Sequence, residues 1–282
     1  MRCFFGAAGV STGCLERVDN YLFGSFIQMH NIKPGAEMQR SEGLWSSTIS
    51  TISQLIYRGD VRIVDLTMMI KNRVDRFEPH MKSFCLTLFN SAFERAIELD
   101  AEMQRGFWRG PLHGVPIAIK DMIDMKGYPT ACGTTFLSRQ KRDVTAIAVE
   151  RLIDAGAIII GKNQLSEAMN PWHHPSVVPP VNPWNPNLTP GISSSGSAVA
   201  VAARLCFAAL GSDSACSIRF PAAMNGLTGV KPTFGRVPRH GTHPVAGFLD
   251  TIGPITRSAT DAAIILSIIA GGDARDPAAP GS

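Results

Sequence analysis

Thr145-Ala-Ile-Ala-Val-Glu-Arg-Leu-Ile-Asp-Ala-Gly-Ala-Ile-Ile-Ile160 joins a helical repeat directly to a strand-like run. Apolar residues recur at helical spacing over Thr145 to Asp154, and Ala157 to Ile160 is apolar at every position. A short run without alternation suits a strand covered on both faces, as in a sheet sandwiched by helices. Working upstream, Val115 to Ile119 is a second such run, preceded by a strand-like Ser83 to Phe89 and a helical pattern near Ser91 to Arg105. This alternation predicts an α/β fold: a mixed, largely parallel sheet core flanked by helices.

Towards the N-terminus, Ile63, Leu66, Ile70, Val74 and Phe77 fall on one helical face, and Ser47 to Tyr57 repeats the pattern across the break at Gly59-Asp60. Leu15, Val18, Leu22, Phe26 and Met29 predict a further amphipathic helix. Downstream, Ala198 to Leu210 reads as a small-residue helix. Ser258-Ala-Thr-Asp261 reads as a helix start and Gly271-Gly272 as its stop. The domain reading is an N-terminal extension with a helix over 1–46 and one α/β domain over 47–282.

Composition narrows the function classes. Hydrophobic residues make up 45% of the chain and charged residues 18%, which fits a globular protein. The net charge is +4, and the densest basic run, Arg139, Lys141 and Arg142, is a solvated loop rather than a nucleic-acid patch. Cysteines at 3, 14, 85, 132, 206 and 216 form no CxxC pair and no zinc spacing with histidine. Free thiols in a reducing, cytoplasmic setting are expected, with no metal and no cofactor. Met1 to Cys14 lacks a convincing cleavage site, and Ala198 to Leu210 is too short and too interrupted to span a membrane.

Three segments carry candidate chemistry. Pro190-Gly-Ile-Ser-Ser-Ser-Gly-Ser197 is a Gly/Ser-rich loop entering a helix, which alone fits a cap or linker as well as an anion site. Gly211-Ser-Asp-Ser-Ala-Cys-Ser-Ile-Arg-Phe-Pro221 crowds small residues around Ser217, leaving room for a carbonyl to approach backbone N–H groups. Gly114-Val-Pro-Ile-Ala-Ile-Lys120-Asp121 ends an apolar strand on a lysine, more often a paired or snorkelling side chain than a base.

Together these segments resemble the amidase signature family. Gly110-Pro-Leu-His-Gly-Val-Pro-Ile-Ala-Ile-Lys-Asp121 is similar to its lysine motif, and Pro183-Trp-Asn-Pro, the Ser193-Ser194 pair, Gly211-Ser-Asp, Ser217-Ile-Arg-Phe-Pro-Ala, Gly226-Leu-Thr-Gly-Val-Lys-Pro-Thr233 and Gly253-Pro-Ile-Thr-Arg257 follow in the family's order. The resemblance implies a hydrolase of small or acyl amides that works through a serine acyl-enzyme. Ser217 would be the nucleophile, Ser193 the bridging serine after a cis peptide bond, and Lys120 the base. It further implies an oxyanion hole from the backbone of Ser214, Ala215, Cys216 and Ser217, with Ser194, Asp213 and Arg219 in support. His113 is then a structural residue. Lys120 must be neutral to accept a proton, so its ordinary value near 10.4 has to fall by about three pH units, at about 4 kcal/mol.

The chain departs from the family at Ile192, where glycine precedes the bridging serine, and at Ala215-Cys216, where a glycine pair precedes the nucleophile. If either of the latter needs a positive φ, strain of about 1 kcal/mol is expected. The chain also stops soon after Gly271-Gly-Asp-Ala-Arg-Asp276, where the family continues, so the domain is read as lacking the usual C-terminal portion. Two alternatives follow: a catalytically impaired fragment or pseudoenzyme, and the amidase-like subunit of a tRNA-dependent amidotransferase. Self-association into a homo-oligomer through uncovered apolar surface is a further expectation.

Overall fold

A computed structural model of the chain describes residues 43–279. The helix expected around Leu15 to Met29 lies outside them. In chain order the elements are α1 (Ile49–Tyr57), α2 (Ile63–Met81), β1 (Phe84–Thr87), α3 (Phe89–Gln104), β2 (Pro116–Lys120), α4 (Ile147–Asp154) and β3 (Ile158–Asn163). They continue through α5 (Ser195–Ala202), β4 (Ala208–Asp213), α6 (Arg219–Met224), β5 (Thr228–Gly229), β6 (Thr251–Thr256) and α7 (Ala259–Ile269).

The helices form where the sequence supplies both an apolar face and a cap. Thr48 accepts the Thr51 N–H at 3.1 Å to start α1, which buries Ile49, Ile52 and Ile56. The N–H groups of Ile63 and Val64 at the start of α2 are taken by the Asp100 carboxylate of α3, at 2.8 and 3.1 Å, so the pair of helices caps itself across the contact. The face of α2 expected from spacing, Ile63 through Phe77, is the buried one. Ser258 accepts the Asp261 N–H at 3.1 Å to start α7, and that helix ends just before Gly271.

The six strands form one sheet in the order β1-β3-β2-β4-β6-β5. β3, β2 and β4 run parallel at its centre, and the three outer pairings are antiparallel. Every residue of β2, β3, β4 and β6 is buried, which accounts for the apolar runs Ile117 to Ile119 and Ile158 to Ile160 in β2 and β3. Because β2 and β4 are parallel neighbours, with Ile119 opposite Leu210, Lys120 at the end of β2 and Ser212 near the end of β4 come together at the C-terminal end of the central strands.

The reading of Ala198 to Leu210 as one helix is corrected. α5 stops at Ala202, Arg204 takes the left-handed conformation at φ 59°, and the chain re-enters the sheet at Ala208 as β4. A segment apolar on all sides looks the same as a buried helix and as a buried strand, and nothing in Arg204 itself marks the reversal.

Candidate active site

Lys120 is the last residue of β2 and wholly buried. Its Nζ lies 2.5 Å from Ser193 Oγ and 2.8 Å from Ser212 Oγ. Among the described residues it pairs with no carboxylate. Burial strips the ammonium of water and brings its pKa down from 10.5 to about 7, against smaller upward pulls from Asp213, Cys132 and Asp250. Burial therefore brings the neutral amine within reach at physiological pH.

Ser193 reaches Lys120 from the loop that feeds α5, and the Ile192–Ser193 peptide bond is cis, as the family resemblance implies. The loop and the first turn of α5 are each held down at a glycine. A Cβ on Gly191 would stand 2.3 Å from Pro221 Cα, and one on Gly196 would stand 2.4 Å from the Gln164 carbonyl oxygen. Ser194, also buried, accepts the Ser212 N–H and donates to the Ser212 carbonyl, both at 3.3 Å, which ties this loop to the end of β4.

Ser217 is half-buried in the loop after β4, and its carbonyl accepts the Ser194 N–H at 3.2 Å. Among the described residues no hydrogen bond ends on its hydroxyl, and the N–H groups of Ser214, Ala215, Cys216 and Ser217 donate to no acceptor. Neither Ala215 nor Cys216 has a positive φ, so the side chains that replace glycine there carry no left-handed strain. The loop is braced from within by Asp213, whose carboxylate accepts the Ile218 N–H at 3.2 Å and pairs with Arg219 at 3.0 and 3.1 Å. Burial works against that charge, but the guanidinium and the backbone donors outweigh it and hold the carboxyl below its ordinary range.

Several participants were not singled out in the sequence. Ser212 is the second hydroxyl on Lys120. Asp250 accepts from the Ser214 hydroxyl and from the N–H groups of Val245 and Ala246, so the loop before β6 is fastened to the loop that carries Ser217. A second wholly buried lysine, Lys162 on β3, pairs with Asp121 at 2.7 Å and donates to Pro129 O and Thr130 Oγ1. A cavity of about 390 Å³ lies beside that pair, lined by Cys85, Asp121, Thr134 and Gln164 among others, and none of Lys120, Ser193 and Ser217 lines it.

His113 is buried and remote from this chemistry. Its Nε2 lies 3.1 Å from Leu99 O and its Nδ1 accepts the Arg109 N–H at 3.2 Å, so both nitrogens serve the backbone. Among the described residues no group of three or more His, Cys, Asp or Glu is arranged to hold a metal ion, and no helix is long and apolar enough to cross a membrane.

Comparison with known proteins identifies the family. Residues 65–282 match the family described as Amidase. The chain is 45% identical over 229 residues to the "Putative amidase AmiD" of Mycobacterium tuberculosis, covering 81% of this chain and 48% of that protein. It is 44% identical over 231 residues to a glutamyl-tRNA(Gln) amidotransferase subunit from Salinibacter ruber, covering 81% and 45%. Among solved structures, native peptide amidase from Stenotrophomonas maltophilia superposes with a TM-score of 0.77 at 37% identity, covering 84% of this chain and 51% of that one. The chain thus spans about half the length of the relatives it matches. On the match over residues 65–282, and on these identities, the chain belongs to the amidase signature family.

Proposed function

We propose that the chain carries the catalytic centre of an amide-bond hydrolase, with Ser217 as nucleophile, Ser193 as proton relay and Lys120 as base. The observation that carries this reading is a wholly buried lysine with no carboxylate partner among the described residues, 2.5 Å from a serine hydroxyl. A serine hydroxyl attacks a carbonyl only as a neighbouring base takes its proton. In the proposed sequence Ser217 Oγ adds to the amide carbon as its proton passes to Ser193, whose own proton passes to neutral Lys120. The tetrahedral oxyanion is received by the unspent N–H groups of Ser214 to Ser217. The relay then runs in reverse, protonating the departing amine as the C–N bond breaks. Water attacks the acyl-Ser217 ester through the same base, releasing the acid and restoring the hydroxyl.

Fluorophosphonate labelling of the purified chain tests this reading. Label is expected on Ser217, absent in Ser217→Ala and nearly absent in Lys120→Met. Labelling retained in Lys120→Met would refute the lysine as base, and no label on the parent chain would favour the impaired form. The identity to an amidotransferase subunit supports a second reading, in which the released ammonia passes to a partner protein. Arg239-His-Gly-Thr-His-Pro-Val-Ala-Gly247 departs from the segment expected of that subunit, which favours the free amidase. Copurification with partner subunits would reverse the preference.

A further inference from the structure

The base and the acid that braces the nucleophile loop occupy neighbouring positions. Ser212, whose hydroxyl touches Lys120 Nζ, is followed directly by Asp213, which is fully buried. The charge of a buried carboxylate near a lysine favours the lysine's ammonium form, and an ammonium has no lone pair for a proton. Asp213 is instead occupied on every side. Arg219 Nε and Nη2 reach its two oxygens at 3.0 and 3.1 Å, the Ile218 and Arg219 N–H groups approach at 3.2 and 3.4 Å, and Arg219 Nη2 also donates to Ala215 O at 2.7 Å. The Arg219 side chain is 47% exposed, so the compensating charge comes from the surface and adds no second buried cation beside Lys120.

We propose that Arg219 is a positioning residue for the base: by engaging Asp213 it withholds that carboxylate from Lys120 and so keeps Lys120 able to accept a proton at neutral pH. The proposal rests on Lys120 acting as the base.

The other groups around Lys120 are already compensated. Asp250, from the loop before β6, is taken up by Ser214 and by the Val245 and Ala246 N–H groups. Cys132, from the loop after β2, has its thiol pushed up to about 12 by burial and is neutral. Asp121 and Lys162, at the ends of β2 and β3, neutralise one another at 2.7 Å. Asp213 is the acid with the strongest pull on Lys120, and Arg219 is its only side-chain cation among the described residues. In Arg219→Met both backbone N–H groups remain on Asp213, so the carboxylate stays ionised and its field falls on Lys120.

The test follows the Lys120 ¹³Cε resonance by NMR in the full chain labelled with ¹³C-lysine, assigned by its loss in Lys120→Met. The parent midpoint is expected at about 7. In Arg219→Met it should rise by about one pH unit, in Asp213→Asn it should fall, and in Arg219→Lys it should return toward the parent. A residue that only braced the loop would lower the labelling rate without moving this midpoint. A midpoint in Arg219→Met that coincides with the parent's overturns the proposal; should that variant not fold, an unmoved midpoint in Asp213→Asn does so. The hydrolase reading is judged separately by fluorophosphonate incorporation at Ser217 of the parent, which can fail while Lys120 still titrates as described.

Discussion

Lys120 Nζ stands between two hydroxyls, Ser193 at 2.5 Å and Ser212 at 2.8 Å. A neutral amine has one lone pair and two N–H bonds. Donation of one N–H to Ser212 turns the lone pair toward Ser193, the direction in which the proton must arrive. Removing that acceptor leaves the amine free to rotate but leaves its basicity to burial. Ser212→Ala should therefore slow labelling of Ser217 by about tenfold, the worth of one net hydrogen bond, without abolishing it. Labelling kinetics of the variant against the parent measure this, and a loss as large as that of Lys120→Met would mean that Ser212 itself carries a proton. The pH dependence has a definite sign. Below about 7 the ammonium form dominates and the rate should fall roughly tenfold per pH unit, whereas a profile flat down to pH 4 would contradict a lysine base.

At the scale of elements, the site depends on how closely the N-terminus of α5 sits on the end of β3. The Cβ of an alanine at Gly196 would stand 2.4 Å from Gln164 O and 2.5 Å from Ser83 O, both backbone atoms that cannot swing aside. Gly196→Ala should displace the start of α5 and carry Ser193 away from Lys120, destabilising the chain by about 1–3 kcal/mol. Chemical denaturation and Ser217 labelling should both register the change, and a variant as stable and as reactive as the parent would show that the contact is not needed. The strands that build this arrangement were legible because β2 and β3 are buried throughout and begin as short runs without polar alternation, Val115 to Ile119 and Ala157 to Ile160. Lys120 was legible as a charge ending such a run. β4 was not, since Ala198 to Leu210 is apolar but for Arg204 and its turn rests on that residue at φ 59°, a conformation that side-chain chemistry does not announce. Ser212 and Asp250 escaped for a different reason. One is a small polar residue at a strand end, and the other reaches Ser214 across thirty-six residues of chain, a pairing that only the fold creates.

For the molecule as a whole, a buried lysine is a stability liability that changes with pH. Lys120 has a pKa of about 7 in the fold and about 10.5 in the unfolded chain. Between these values the unfolded state binds more protons than the folded one, so stability rises with pH across that window. Below about 7 both states are protonated and the fold carries the full penalty of a charged, desolvated lysine. Each pH unit of the difference is worth about 1.4 kcal/mol, which brings the penalty to about 5 kcal/mol before the two serine hydrogen bonds are counted. That is a large fraction of the 5–15 kcal/mol that holds a typical domain together. Lys120→Met keeps the length and apolar stem of the side chain and removes the charge, at the cost of leaving Ser193 and Ser212 without this partner, about 1 kcal/mol each. The variant that should lose catalysis is therefore expected to be the more stable protein at pH 6, by about 3 kcal/mol, and the advantage should shrink as pH rises toward 10. Urea denaturation of both proteins at pH 6, 8 and 10 reads this directly. A Lys120→Met chain less stable than the parent at pH 6, or one whose difference does not change with pH, would mean that Lys120 titrates in the fold as it does in water, and it would remove the base from the proposed mechanism.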